Sequence, residues 1–359
     1  MARNRGIISS AYLCLEANSI ISPDYGYQML NTFDLTKAIY RYGSGLRQNL
    51  DHGEIKRLPI FLPPPDEQAA IVRFLDHANR KIDGFIRAKQ KLIKLLNEQK
   101  QAIIHRAVTR GLPSTGSGQA VRLKNSGIPW LGDIPEHWEV LRARFIFRAV
   151  TRRDVLKNDP KLSVTQRRGL VLTNEMEENS TQARSFDSFQ VCHPQDLVLN
   201  KYKAHLGVFC CAFQRGLITP NYTVFQPTRK LYTHYFDVLF HTSTYRNEFS
   251  MMVHGVTEGM SPLYTQEFYR VPVIFPPVDE QEEIIVQIEK LTQAQNTAIA
   301  RTEREIALMQ EYRTRLTADI VTGKLDVREA AATLPDIAID SAPEMIADET
   351  LDEIEEIHE

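Results

Sequence analysis

Eleven residues, LPIFLPPPDEQ at Leu58–Gln68, return almost unchanged as VPVIFPPVDEQ at Val271–Gln281, and this repetition constrains the fold more than any other feature of the chain. With Asp66 set on Asp279, an offset of 213 residues, the match runs on: Ile71 falls on Ile284, Leu75 on Ile288, Ile93 on Ile306, Val108 on Val321 and Thr109 on Thr322. Nearer the N-terminus the offset is 210, where RGIISSAY at Arg5–Tyr12 answers RGLITPNY at Arg215–Tyr222. One unit has been duplicated, with a small slip of the kind that loop-length drift produces.

Each copy of the repeated phrase is a strand exit followed by a helix start. Prolines at 63–65 can neither continue a strand nor sit inside a helix, while Asp66 and Glu67 bring negative charge to a helix N-terminus. Glu67/Gln68 and Glu280/Gln281 are therefore expected to cap and orient helix starts. From Ile71 the apolar positions run 71, 75, 78, 82, 85, 92, 96 and 103, and the second copy runs Ile284, Ile288, Leu291, Ala298, Met309, Leu316 and Ile320. Steps near 3.5 residues predict two long helices with narrow seams, ending at Gly111 and Gly323. At ~1.5 Å per residue, about 43 residues make a rod of roughly 65 Å.

The text before each rod differs: it is rich in β-branched and aromatic residues punctuated by Gly and Pro, which predicts mixed α/β globular heads. The expected order is a partial head over residues 1–62, a long helix over 63–112, a Gly/Ser linker over 113–126, a complete head over 127–277, a second long helix over 278–325, and an acidic tail over 326–359, expected to be disordered. The fold class is α+β, with heads separated by two long helices in an antiparallel coiled coil. The formal net charge of -2 conceals that tail, so the remainder of the chain is net basic, which permits a polyanionic partner. No apolar run approaches the ~18 residues of a membrane span. Cys14, Cys192, Cys210 and Cys211 form no C-x-x-C pair, and the apolar N-terminus, which superficially resembles a signal peptide, is the counterpart of an internal segment. A cytoplasmic location is expected.

The two helical regions, LPPPDEQAAIVRFLDHANRKIDGFIRAKQKLIKLLNEQKQAIIHRAVTRGL and FPPVDEQEEIIVQIEKL with LTADIVTGKLDV, together with NSGIPWLGDIPEHWEV at Asn125–Val140, resemble the specificity subunit of type I restriction-modification systems. The resemblance covers roughly residues 6–327. It implies a non-catalytic reader of double-stranded DNA in phage defence, with two target recognition domains that each read half of a bipartite site. The long helices would act as a ruler and dock two modification subunits, which carry S-adenosylmethionine and methylate adenine, and a separate restriction subunit translocates and cuts. One departure is visible: the second head has the I-P-W-L-G-D-I-P-E-H-W segment, about 75 residues before RGLITPNY, and the first head has no counterpart of it. As written, the first recognition domain lacks its front portion. A coiled-coil scaffold that binds proteins without DNA, and a non-functional remnant, are the alternatives.

The family's DNA-facing loops resemble RYGSGLRQNL at Arg41–Leu50 and HGVTEGMSPL at His254–Leu263, where Arg41, Ser44, Arg47, Gln48, Asn49, Thr257 and Glu258 offer groups for phosphates and base edges. Ordinary surface loops are the alternative. In NKYKAHLG, alternate Lys201 and Lys203 would share one face of a strand, suited to phosphate neutralisation or merely solvated. Arg152, Arg153, Arg167 and Arg168 are further DNA candidates, with a solvated face as the alternative. Trp130 and Trp138 are core anchors before they are base-stacking platforms. The sequence contains no P-loop, no H-E-x-x-H and no N-P-P-[FYW], so neither catalysis nor a directly bound cofactor or metal is expected.

Overall fold

A computed structural model describes residues 14–37, 56, 59–112, 122–156, 158–165, 168–173, 188–253 and 262–335. Within these, α1 (Pro23–Leu35) and the long α2 (Pro65–Arg110) are followed by strands β1 (Leu123–Asn125), β2 (Asp133–Pro135), β3 (Glu139–Arg142), β4 (Phe147–Val150), β5 (Leu162–Thr165) and β6 (Gly169–Leu172). Next come β7 (Gln190–Cys192), β8 (Leu197–Asn200), β9 (Phe209–Cys211), β10 (Gly216–Ile218) and β11 (Tyr222–Pro227). Helices α3 (Thr233–Phe240), α4 (Ser243–Met252) and α5 (Thr265–Arg270), strand β12 (Pro272–Phe275), the long α6 (Val278–Val321) and α7 (Arg328–Thr333) complete the chain. No helix of the described residues is long and apolar enough to cross a membrane.

The chain divides into two compact units, one of Met1–Lys91 with Thr302–Glu359, the other of Leu92–Arg301. In the first unit, Tyr25, Met29 and Phe33 recur every four residues along α1 and bury one stripe against Ile71 and Leu75 of α2 and Ile320 and Val321 of α6. Here the two long helices run in opposite directions: Asp83 pairs with Arg313 and Lys89 with Glu305, so numbers fall on α6 as they rise on α2. The expected 3.5-residue seam is buried at Ile71, Leu75 and Ile82, the first two beneath α1, while Phe85 and Leu92 stay half-exposed.

The tail is not disordered from its start. Val327 and Ala331, one turn apart, are buried, and the Leu334 carbonyl accepts from Arg73. The apolar pair gives this first stretch something to bury.

The second unit holds an antiparallel four-stranded sheet in the order β4-β11-β8-β9, with two-stranded ribbons β1–β2, β5–β6, β7–β10 and β3–β12, each antiparallel. Its core is aromatic: Phe147, Phe209, Phe225, Phe236, Phe240, Phe249 and Phe268 are fully buried. Edge contacts such as Phe147 on Phe236 (centroids 5.5 Å, planes at 88°) suit the ring quadrupoles. Ala107 and Val108 from the end of α2, and Ile284, Ile285 and Ile288 from the start of α6, belong to this core. Each unit therefore combines the start of one long helix with the end of the other, as a duplicated antiparallel arrangement requires.

The repeated phrase does the same work twice. The Gln68 side chain accepts from Ser22 N (2.8 Å) and donates to Pro63 O (2.9 Å). The Gln281 side chain accepts from Tyr232 N (2.9 Å) and donates to Pro276 O (2.8 Å). Ser22 and Tyr232 are the N-cap residues of α1 and α3, so each amide ties the proline stretch before a long helix to the start of a helix earlier in the same unit. The caps differ, because Ser22 Oγ accepts from Tyr25 N, whereas Tyr232 has no side-chain cap bond. Neutral amides can satisfy a buried donor and acceptor together, which explains Gln at a position that is almost fully buried in both units.

Candidate nucleic-acid interface

Lys201 and Lys203 do not lie on a strand. Sheet β8 stops at Asn200, whose Oδ1 accepts from Tyr202 N (3.2 Å), and Lys201–Leu206 form a 3-10 turn broken at Lys203 (φ -111°, ψ 23°). At three residues per turn, positions two apart point to different sides, so the shared strand face expected for the lysines does not exist. The turn closes at Gly207 in the left-handed region (φ 73°), where a Cβ would stand 2.8 Å from Arg246 Cγ and 3.0 Å from the Phe240 carbonyl oxygen. Only glycine fits there without displacing α3 or α4.

This turn puts Lys201 in a cleft of about 320 Å³ together with Arg153, Thr151, Gln190, Tyr222 and Thr265. Arg153 and Lys201 are its only charged lining residues, so among the described residues nothing acidic opposes an anion entering it. Lys201 Nζ lies 5.4 Å from the Tyr202 ring centroid, which orients the ammonium without neutralising it. Leu263 N donates to Lys201 O (2.9 Å) and Thr265 lines the cleft, so the exit of the 254–263 segment is pinned at the same place. Thr257 and Glu258 in that segment, and Arg41, Ser44, Arg47, Gln48 and Asn49 in the first unit, lie outside the described residues, as do Gln166 and Arg167.

Of the remaining candidates, Arg153, Lys203 and Arg168 are exposed, and Arg168 sits in the β5–β6 turn, where its N–H donates to Thr165 Oγ1 (3.0 Å). Arg152 is committed elsewhere. Its guanidinium donates to both carboxylate oxygens of buried Asp196 (2.5 and 3.3 Å), and this bidentate pair occupies the donors that a base contact would need. A second ion-pair network closes the same loop: Arg215 holds Asp159 (2.8 Å) and Asp154 (3.2 Å), and both carboxyls lie below the usual range, Asp154 through its own backbone amide and then Arg215, Asp159 chiefly through the Arg215 hydrogen bond. These two arginines shape the loop that presents Arg153.

Sequence reasoning missed Gln190 and Tyr222. Gln190 Nε2 donates to Tyr222 O (2.6 Å), which sets the cleft floor. Tyr222 could have been found, since it closes the repeated RGLITPNY phrase. Trp138 is a fully buried core anchor, as expected, and its indole N–H donates to Glu280 Oε2 (3.0 Å), with His137 Nε2 on the same oxygen (2.8 Å). Behind the sheet, Asp237 accepts from Cys211 N (2.9 Å) and faces His241 Nδ1 (3.1 Å) and His234 Nδ1 (3.6 Å). Burial opposes its ionisation, but the two imidazoles and the amide outweigh it and bring the carboxyl to about 2. Burial pushes the Cys192 thiol up to about 11, so it is a protonated core group.

No model of a protein family matches this chain. Among solved structures, it is similar to a chain from work on complex assembly and conformational transition of the type I R-M system, at 13% identity over 84% of this chain and 72% of that one, with a TM-score of 0.56. It also aligns with the HsdS subunit from Thermoanaerobacter tengcongensis (14% identity, 86% of this chain and 72% of that one, TM-score 0.39). A third alignment is with the type I restriction-modification S subunit from M. genitalium (12% identity, 89% and 74%, TM-score 0.36). The first likeness is one of fold: this chain has the fold of a protein of the type I restriction-modification system.

Proposed function

We propose that the chain is the DNA specificity subunit of a type I restriction-modification system, a non-catalytic, cytoplasmic protein that directs adenine methylation and restriction to a bipartite target. The observation that carries the reading is the cleft lined by Arg153 and Lys201 and pinned to the exit of the 254–263 segment. Its size suits side-chain access to a phosphate, and the loop beside it would supply base contacts. The first unit, built on the same repeated phrase, would read the other half-site, and α2 and α6 would hold two modification subunits. S-adenosylmethionine would be bound by those partners, and a restriction subunit would complete the complex.

A duplex-binding titration at several salt concentrations tests the reading. Two phosphate contacts contribute a log–log slope of about -1.8, so Arg153→Ala with Lys201→Ala should flatten the slope by about that much and weaken binding evenly across sequences. Salt-independent binding, or none to any duplex when the modification subunits are present, would refute it.

A further inference from the structure

Within the second unit, the last turns of α2 and the junction of α3 with α4 enclose a cavity of about 280 Å³. Gln101 and His105 line it from α2, and His241, Thr242, Ser243 and Arg246 line it from the α3–α4 junction. Glu98 and Glu248, the carboxylates nearest in sequence on the same two helices, are not among its lining residues.

Two groups of this wall lack a partner. His105 Nδ1 is buried and makes no hydrogen bond, and among the described residues nothing pairs with the Arg246 guanidinium. Buried polar nitrogens are nearly always satisfied, so an orphan of this kind marks the place of a missing partner. Arg246 is nonetheless held in position, because its stem fills the space that a side chain on Gly207 would need: a Cβ there would meet Arg246 Cγ at 2.8 Å and Cδ at 3.2 Å. Beside it, burial opposes charge on His241, but hydrogen bonding and attraction to Asp237 outweigh both burial and the repulsion from Arg246 and raise the imidazole pKa. The cavity therefore faces two groups of like charge. Asp237 does not relieve them, since Cys211 N and the His241 and His234 rings already surround its carboxylate. Burial first, and then Arg110, hold His105 below the usual imidazole range, so near neutral pH it is an uncharged ring able to donate through one nitrogen.

We propose that this cavity binds an oxyanion of the phosphate class, with Arg246 as the charged anchor and His105 Nδ1 and the Gln101 amide as further donors. The planar guanidinium fork matches two phosphate oxygens at once. One bound anion would bridge α2 to α4, and through Gly207 it would brace the turn that carries Lys201. The same chemistry is offered by free phosphate and by the backbone of a nucleic acid. The site is separate from the Arg153–Lys201 cleft, and the inference does not rest on the DNA reading.

The test is imidazole NMR of the full chain carrying isotope-labelled histidine, titrated with inorganic phosphate at constant ionic strength against chloride and acetate. The His105 signal, identified from a His105→Gln variant, should shift saturably with phosphate, and its pKa should rise because a nearby anion favours the charged ring. Arg246→Met keeps the stem against Gly207, and Gln101→Glu puts a carboxylate into the cavity from an exposed position. Each should weaken the response about tenfold or more at an unchanged denaturant midpoint. A DNA duplex added to the phosphate-bound protein separates the sources: displacement of phosphate at His105 identifies the nucleic-acid backbone, and retention identifies free phosphate. A His105 shift no larger with phosphate than with chloride or acetate, or a response undiminished in both variants, would overturn the proposal.

Discussion

Gln281 donates to the carbonyl of Pro276 just as Gln68, 213 positions earlier, donates to that of Pro63, and each accepts from the N-cap amide of an earlier helix in its own unit. A pair of hydrogen bonds reproduced at both ends of a duplication marks a joint, in which a proline stretch, an earlier helix and a long helix are fixed by one amide.

Gln281→Leu should therefore destabilise the protein. It leaves the Tyr232 amide and the Pro276 carbonyl unsatisfied in a fully buried place, at a cost of about 2–4 kcal/mol for the two groups. Gln281→Glu keeps the acceptor but buries a charge, and should be no better. Urea unfolding followed by circular dichroism measures both.

Trp138→Phe keeps most of the buried ring and removes the donor to Glu280, so a loss of roughly 1–2 kcal/mol is expected. Glu280→Gln, which retains an acceptor, should lose less. A double-mutant cycle from chemical unfolding checks that the two effects are coupled.

Gly207→Ala places a Cβ against the Phe240 carbonyl and forces a left-handed alanine, so about 2 kcal/mol or more should be lost. Because Gly207 closes the turn that carries Lys201, duplex binding should weaken more than stability alone accounts for. Comparison of unfolding midpoints with DNA affinity below the transition separates the two.

Acid should act through Asp237. Its carboxyl is held at about 2, below the ordinary value of ~3.9, so its stabilising contribution is complete above about pH 4 and is lost as pH falls from there toward 2. His241 has the opposite sign: burial opposes its charge, but hydrogen bonding and attraction to Asp237 raise its pKa, so its contribution is complete below ~6.5 and fades as pH rises through the raised value. Asp237→Asn should cost roughly 2 kcal/mol at pH 6, less than a fully buried pair because His241 is 30% exposed, and should flatten the stability profile between pH 4 and 2. Thermal unfolding across that range is the measurement.

The sequence carried the long helices and their glycine ends plainly, because proline, acidic first turns and a recurring apolar step act locally, whereas Gln68 and Gln281, expected to cap their own helices, bond to the starts of others. It misled at Lys201 and Lys203, where Lys-Tyr-Lys imitates strand alternation although Asn200 and Gly207 are a cap and a left-handed stop. Arg152 could not be distinguished from Arg153 by composition, because the partner that withdraws it, Asp196, lies 44 residues away. The start of the tail was misjudged for the same reason: net charge describes the segment, while burial of Val327 depends on the α2 and α6 residues it packs with.

The central claim is tested most directly by long-read, methylation-sensitive sequencing of DNA from cells that carry this chain with its modification subunits, set against cells lacking the gene. Methyladenine at a bipartite motif should be present in the first and absent in the second. An identical methylation pattern in both would contradict the claim.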